Sequence, residues 1–554
     1  MESPLKTSPA DSPPDGDLLL AEPPAEQVWS TTAEASPGGA FTSRVLVADF
    51  SYGRASARLT PRTAVLALIG LSAVLRLAYA AALPLTIDEQ YMVAAGRQLQ
   101  LGYFDHPPAA WWLAWAARVL AGSQSAIVVR LPFILLFGLA TWLMYRLAAR
   151  LFSERAGAYA AALMNLSPIL GVATASWVGP DGPLICALLA AALCLTHALF
   201  GDPAGARRWW IGAGISAGLA LFSKYTACLT ILGAAGYLLT QPAHRRWLGK
   251  PEPYLAAALA ALIFAPVAVW NAEHGWASFA FQGGRAAAQH RWGLTGPLEV
   301  LAGGALFNLP HLWLALIAAL VVAARRGAED AKAWLLVWLA VPTLTLFVTV
   351  ALWNSQVMFH WSSPGYLMAM PLAGAMLAGL SPSRRLPVRR VLAWTGVFLV
   401  IGCAAYAAET QWNLAPAPLQ AFLARFDPNV ESGDWSSLAD ALQTRGLLDR
   451  PGLFIGAADW SAAGKLDYAL QGKARIVGVG SDMREYGELA AAAPRPGADA
   501  LIPIIGNPPA IPAADLARRF ASLDILPPVS IVHGGHVVQE AALLLGRRYR
   551  GGPA

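Results

Sequence analysis

Asp88 and Glu89 are adjacent carboxylates placed just after the first long apolar run of the chain. An acid in such a position can take a proton from an attacking hydroxyl. The run Thr86-Ile87-Asp88-Glu89 also fits a capping box, with Thr86 at the N-cap and an acid three residues on, so spacing alone weights capping and catalysis equally. Neighbours on a helix point about 100° apart. Both are catalytic candidates, and the expectation is that Asp88 faces the reaction while Glu89 braces it. Tyr103-Phe104-Asp105-His106-Pro107-Pro108 follows. An acid beside a histidine could bind a divalent metal or a phosphate, and the prolines would fix the turn and start a helix. A polar turn whose histidine bonds only to backbone is the plainer account.

Four other places carry charge where an apolar chain would not spend it. Asp181 sits in Gly179-Pro180-Asp181-Gly182-Pro183, where turn chemistry already explains an aspartate. Lys224 interrupts a long apolar run, and Arg76 lies inside another. A cation there is costly and reads as part of a polar cavity, with a phosphate as its natural counter-charge, unless it snorkels to the interface. Glu273-His274 could join Asp105-His106 as a divalent metal site, though two acid-histidine pairs without helical spacing are a weak signal and a wet loop suffices. That metal is the one cofactor candidate. Phe359-His360-Trp361 offers a polar and aromatic wall, so Tyr103, Asp105, His106, Asp181, His360 and Trp361 make the expected substrate pocket.

The elements that must position these residues are membrane helices. Of 554 residues, 56% are hydrophobic and 13% charged, about half the charge of a soluble protein. The net charge of +6 comes from short arginine clusters between apolar runs. That pattern marks membrane topology and excludes nucleic acid as the expected partner. Apolar runs at 64–84, 125–147, 156–177, 183–200, 209–223, 225–240, 253–270, 298–323, 333–352, 363–380 and 390–408 predict eleven crossings. The stretch 209–240 is ambiguous, because two runs of that length could instead be one broken or re-entrant element.

Arginines of five alternate loops fall on one side and Asp88, Asp181, Lys224 and Glu273 on the other, which places the amino terminus in the cytoplasm. Residues 1–56 read as a disordered cytoplasmic tail, 57–408 as a membrane domain with an outer loop at 85–124, and 409–554 as an outer soluble α/β domain. The four cysteines lie in apolar runs without metal or disulfide spacing.

Taken in order, these motifs resemble a known family. The Asp-Glu pair, Gly-Tyr-Phe-Asp-His-Pro-Pro, Val-Arg-Leu-Pro at 129–132, Pro-Asp-Gly-Pro-Leu at 180–184, Ser-Lys-Tyr-Thr-Ala at 223–227 and Trp-Asn-Ala-Glu-His-Gly-Trp-Ala-Ser-Phe at 270–279 are similar to the bacterial branch of glycosyltransferase family 39. That branch is related to the dolichyl-phosphate-mannose protein mannosyltransferases and to the aminoarabinose transferases of the GT-C fold. The resemblance covers roughly residues 64–380 and implies a GT-C-like polytopic helical protein with a polyprenyl-phosphate-linked sugar donor. It further implies transfer at the outer face of the bacterial inner membrane to an acceptor the sequence does not identify. By motif, Asp88 would be the catalytic carboxylate with Glu89 beside it, and Lys224 would hold the donor phosphate; Arg76, outside these motifs, is expected to help Lys224. Where many members have Asn-Trp before a late Pro-x-Tyr, this chain has His360-Trp361. A transporter or flippase is the competing reading, but such proteins favour repeats and midplane sites. Here the acids lie at the outer mouth and no repeat is visible.

Overall fold

Apolar runs in lipid become helices because every backbone N–H must find its acceptor within the segment. The computed structural model describes residues 60–287, 292–354, 356–412, 414, 433–480, 482–488, 494–505, 513–533 and 536–551. The tail expected at 1–56 lies outside these. The membrane part comprises α1 (Pro61–Ala82), α2 (Ile87–Ala95), α3 (Ala109–Ala121), α4 (Ala126–Leu151), α5 (Glu154–Leu166), α6 (Asp181–Phe200), α7 (Ala206–Ser223) and α8 (Ala227–Thr240). It continues with α9 (Pro251–Glu273), α10 (Ala277–Ala287), α11 (Thr295–Phe307), α12 (Pro310–Arg326), α13 (Ala331–Val350), α14 (Ser363–Ala378) and α15 (Pro382–Trp412).

The expected count of eleven crossings is not reproduced. Among the described residues seven helices are long and apolar enough to span a bilayer, eight if α5 and the π-helical turn Pro168–Thr174 are taken as one bent span. The difference has local causes. α5 meets that turn at 66°, and at the bend a Cβ on Gly171 would lie 2.1 Å from the Asn165 carbonyl oxygen, so only glycine fits. The run 298–323 is two helices, divided at Leu309, whose φ of +66° no helix continues through. That run still supplies one counted span in α12, whereas α7 is not among the counted spans and α8 and α14 are shorter than a full crossing.

The helices pack around one core running from Phe137 on α4 to Leu377 on α14. α6 lies on α7, α7 on α9, and α5 on α14. α15 is peripheral and leaves Trp394, Phe398 and Ile401 exposed, the surface lipid would cover.

The carboxy-terminal part comprises α16 (Ser436–Thr444), β1 (Phe454–Ala457), α17 (Trp460–Leu470), β2 (Ile476–Gly478), α18 (Glu485–Glu488), β3 (Ala500–Ile505), α19 (Ala513–Arg519), β4 (Phe520–His533) and β5 (His536–Tyr549). Its sheet has the order β2-β1-β3-β5-β4. β1 runs parallel to both neighbours, with Ile455 opposite Ile476 and Leu501, and β5 runs antiparallel to β3 and β4. The carboxyl ends of parallel strands are where α/β sheets present their loops to a ligand. Here the loops after β1 and β2 meet the membrane part instead. α17 lies on α2, and a single hydrophobic core joins Tyr91, Met92 and Trp111 to Trp435, Leu438, Leu466 and Leu543. The segment 85–124 is therefore also the floor of the α/β fold.

Candidate active site

The capping box forms. The Thr86 hydroxyl accepts the Glu89 N–H at 3.4 Å, and the Thr86 N–H donates to Glu89 Oε2 at 2.9 Å. Arg130 of α4 donates to both Glu89 oxygens, at 2.8 and 2.6 Å, and the Val178 N–H donates to Oε1 at 2.9 Å. Both oxygens therefore accept two bonds each, which fills the acceptor sites of a carboxylate. Arg130 also donates to the Leu83 and Pro84 carbonyls, at 2.9 and 2.8 Å. One buried ion pair thus ties the end of α1, the start of α2 and the segment before α6. Glu89 has no lone pair left for proton transfer. Of the two catalytic candidates Glu89 is the one that braces the helix carrying Asp88, which is exposed.

The Asp105 carboxylate lies close by and is buried. The Tyr91 hydroxyl donates to it at 3.5 Å and Arg484 approaches at 3.4 Å, while Gln282 donates to its carbonyl at 2.6 Å. Burial pushes the Asp105 carboxyl up to about 6; Arg484 and Arg285 oppose the rise and the charge on Asp88 adds to it. His106 is held down to about 3 by burial and then by the Lys224 charge. His360 falls to about 4 for the same two reasons. Both rings are neutral at physiological pH, and the buried Nδ1 of His106 meets no partner among the described residues.

Lys224 owes its position to a helix break. α7 ends at Ser223, and Lys224 is extended (φ −156°, ψ 135°) before α8 begins. Its ammonium donates to both Asp181 oxygens, at 2.9 and 2.8 Å, from a side chain only 9% exposed. An ammonium has three protons, so this fork leaves one for another acceptor. His106 and His360 both lie in the field of this pair. Asp88, Asp105, His106, Asp181, Lys224 and His360 are therefore brought together, with Trp361 at the edge under the Arg285 guanidinium, 4.8 Å from its ring centre.

Three expectations are not met. Arg76 donates to the Gly171 carbonyl from Nε and Nη2, at 3.1 and 2.7 Å, and to Asn165 Oδ1 at 3.1 Å, and it stacks on Phe137. It fastens the bend after α5 rather than reaching a donor phosphate. Tyr103 is fully buried, stacked 4.2 Å from Trp111 and bonded to the Gln98 carbonyl, so it packs the loop instead of lining a pocket. Glu273 is exposed and His274 stacks on Trp270. Among the described residues no three His, Cys, Asp or Glu side chains are arranged to hold a metal ion, so the set Asp105, His106, Glu273 and His274 is not assembled.

Four site residues were missed. Arg130 could have been found, since an ionisable residue inside an apolar run demands a partner. Arg285, Arg484 and Glu485 carry no such signal. Glu485 accepts from the Phe104 N–H and from Gln100 Nε2, each at 2.6 Å, and so fixes the Phe104-Asp105-His106 loop from the α/β side. Only the fold brings residues 104 and 485 together.

Residues 105–270 match the family described as dolichyl-phosphate-mannose-protein mannosyltransferase. The lipid A galacturonosyltransferase RgtD of Rhizobium johnstonii is 26% identical over 308 residues, covering 53% of this chain and 59% of that protein. The undecaprenyl phosphate-alpha-4-amino-4-deoxy-L-arabinose arabinosyl transferase of Erwinia tasmaniensis is 27% identical over 260 residues, 44% of this chain and 45% of that protein. The chain thus spans about half the length of the curated relatives it matches. The crystal structure of ArnT from Cupriavidus metallidurans bound to undecaprenyl phosphate superposes with a TM-score of 0.62 at 15% identity, over 87% of this chain and 97% of that one. Its apo form gives 0.60 at 16% identity, over 88% and 98%. The chain thus shares the fold of these ArnT structures, and its residues 105–270 are similar to the mannosyltransferase family.

Proposed function

We propose that the chain moves a sugar from a polyprenyl-phosphate donor to a hydroxyl or phosphate acceptor on protein, lipid or polysaccharide. The reaction takes place at the outer face of the inner membrane. The observation that carries this reading is the division of labour at the first outer loop: Glu89 is saturated and buried, Asp88 is exposed beside it, and Lys224 stands in the same cluster with one proton unspent. The relatives support the donor class, since one is an undecaprenyl-phosphate-linked sugar transferase and one GT-C structure holds undecaprenyl phosphate.

The step is a single displacement. The acceptor oxygen bonds to C1 of the sugar as the bond from C1 to the phosphate oxygen breaks, and the acceptor proton passes to Asp88. Polyprenyl phosphate leaves with the bonding electrons. Lys224, oriented by Asp181, stabilises the charge that grows on that phosphate. Attack opposite the leaving group inverts the anomeric centre. Neutral His106 and His360 leave the cationic character of the pocket to Lys224 and the arginines. Residues 57–408 form the catalytic membrane domain and 409–554 a periplasmic domain, with the amino terminus in the cytoplasm.

Asp88→Asn tests the base. Purified in detergent with undecaprenyl-phosphoryl sugars, the variant should consume donor about 10² to 10⁴ times more slowly than wild type, with an unchanged melting temperature. Wild-type turnover by Asp88→Asn would remove Asp88 from the chemistry.

A further inference from the structure

Arg285 on α10 and Arg484 just before α18 approach one aromatic ring. Their guanidinium carbons lie 5.4 and 5.6 Å from the centre of Phe281. Each also rests on a tryptophan, Arg285 at 4.8 Å from Trp361 and Arg484 at 3.7 Å from Trp460. Two cations so placed repel, and Arg285 is pushed below its ordinary value by burial and then by Arg484. The charges on Asp105, Asp88 and Asp482 oppose that fall. Arg484 meets Asp105 at 3.4 Å and Asp482 at 3.9 Å, neither a two-bond fork, and its buried Nε has no acceptor among the described residues. Among those residues the Arg285 guanidinium likewise meets no hydrogen-bond acceptor, only the faces of Phe281 and Trp361. Arg484 also holds a φ of +44°, a disfavoured state for a side-chain-bearing residue that persists where the surroundings impose it.

Lys224 makes the contrast. Its charge is answered by Asp181 at two short distances. Guanidinium donors drawn partly out of water and only partly hydrogen-bonded are costly, and their planar fork matches a carboxylate or phosphate. Arg484 stands beside Asp105, the acid coupled to Asp88, which is the sugar and acceptor side of the site.

We infer that Arg285 and Arg484 form a second oxyanion subsite, for a carboxylate or phosphate carried by the transferred sugar or by its acceptor and not for the leaving phosphate. The inference rests on the transferase reading above. It makes the α/β domain a supplier of substrate contacts as well as a cover.

The test uses the full-length protein in detergent as wild type, Arg484→Ala, Arg484→Lys and Glu485→Gln. The probes are undecaprenyl phosphate alone, undecaprenyl-phosphoryl galacturonate against its neutral galactose counterpart, and lipid A with and without its phosphates. Wild type should prefer the acidic member of one pair by about tenfold or more, a difference of about 1.4 kcal/mol, and which pair it is identifies sugar or acceptor as the source. Arg484→Ala should bring that preference to about twofold through the KM of the acidic partner, and Arg484→Lys should restore part of it. Affinity for undecaprenyl phosphate should stay within about twofold of wild type. Glu485→Gln loosens the same docking without touching the guanidinium and should keep the preference. The inference falls if wild type prefers neither acidic partner, if the preference survives Arg484→Ala, if Glu485→Gln loses it equally, or if Arg484→Ala weakens undecaprenyl phosphate binding about tenfold. A wild type that transfers neither sugar sinks the transferase reading itself and this inference with it.

Discussion

Glu89 and Arg130 show how a charged residue next to a reactive one can be wholly structural. Their side chains are each 1% exposed, and removing one partner of such a pair leaves the other charge buried and unanswered. Glu89→Gln should therefore destabilise the protein by about 3 to 5 kcal/mol, read as a lowered melting temperature in detergent, where Asp88→Asn shows no change. A Glu89→Gln protein that melts like wild type yet transfers no sugar would return Glu89 to the chemistry. Three other residues of the site contribute to the pH dependence of stability. His106 and His360 titrate lower in the fold than free histidine, so the unfolded chain binds their protons first and their contribution to stability fades as pH falls below about 6.5. Asp105 is raised to about 6, so its contribution is full below about 4 and is lost as pH rises through 6. Between about pH 4 and 6 the two histidines outweigh the one acid, and these three residues together add about one proton to the rise of stability with pH. Asp105→Asn should steepen the measured rise by about one proton, read as denaturation midpoint against pH; an unchanged slope would mean that Asp105 does not titrate there.

At the scale of elements, breaks rather than spans place the chemistry. Lys224 lies between α7 and α8, and Arg76 and Asn165 fasten the bend after α5. The sequence marks the capping box at Thr86 to Glu89 and most of the long spans, because caps and hydropathy are local signals. It does not mark the division at Leu309, which is held by non-local bonds: the Ser167 hydroxyl donates to Asn308 Oδ1 at 2.9 Å, across 141 positions of chain. It leaves 209–240 open for the same reason, since α7 is fixed by α6 and α9 but α8 by α13. Lys224 reads from sequence as a cation awaiting a phosphate, whereas its resident partner Asp181 looks there like an ordinary turn residue. A double-mutant cycle separates the two roles. Lys224→Met alone strands Asp181 and should cost several kcal/mol of stability, while Lys224→Met with Asp181→Leu should recover most of that cost yet remain without transfer. Recovery of both stability and transfer would show that the pair does not take part in the reaction.

For the whole molecule, the joint between the membrane part and the α/β fold decides whether the site exists at all. The segment 85–124 contributes Tyr91 and Trp111 to the core of the α/β fold, and that fold returns Arg484 and Glu485 to it. Composition separates the two parts at about residue 409, and it has no means of showing that they share one core. The two parts approach closely at Gly464 on α17, where a Cβ would stand 2.7 Å from the Tyr91 Cα. Backbone cannot yield as a flexible side chain can, so Gly464→Ala should push α17 off α2 and cost about 1 to 3 kcal/mol. The displacement would draw Glu485 away from the Phe104 N–H and loosen the segment that holds Asp105 and His106. Transfer should then fall more steeply than melting temperature, and a crosslink between cysteines placed on α2 and α17 should form more slowly than in the parent. If Gly464→Ala retains full transfer while that crosslink slows, the α/β fold covers the loop without setting its geometry, and the chemistry belongs to the membrane helices alone.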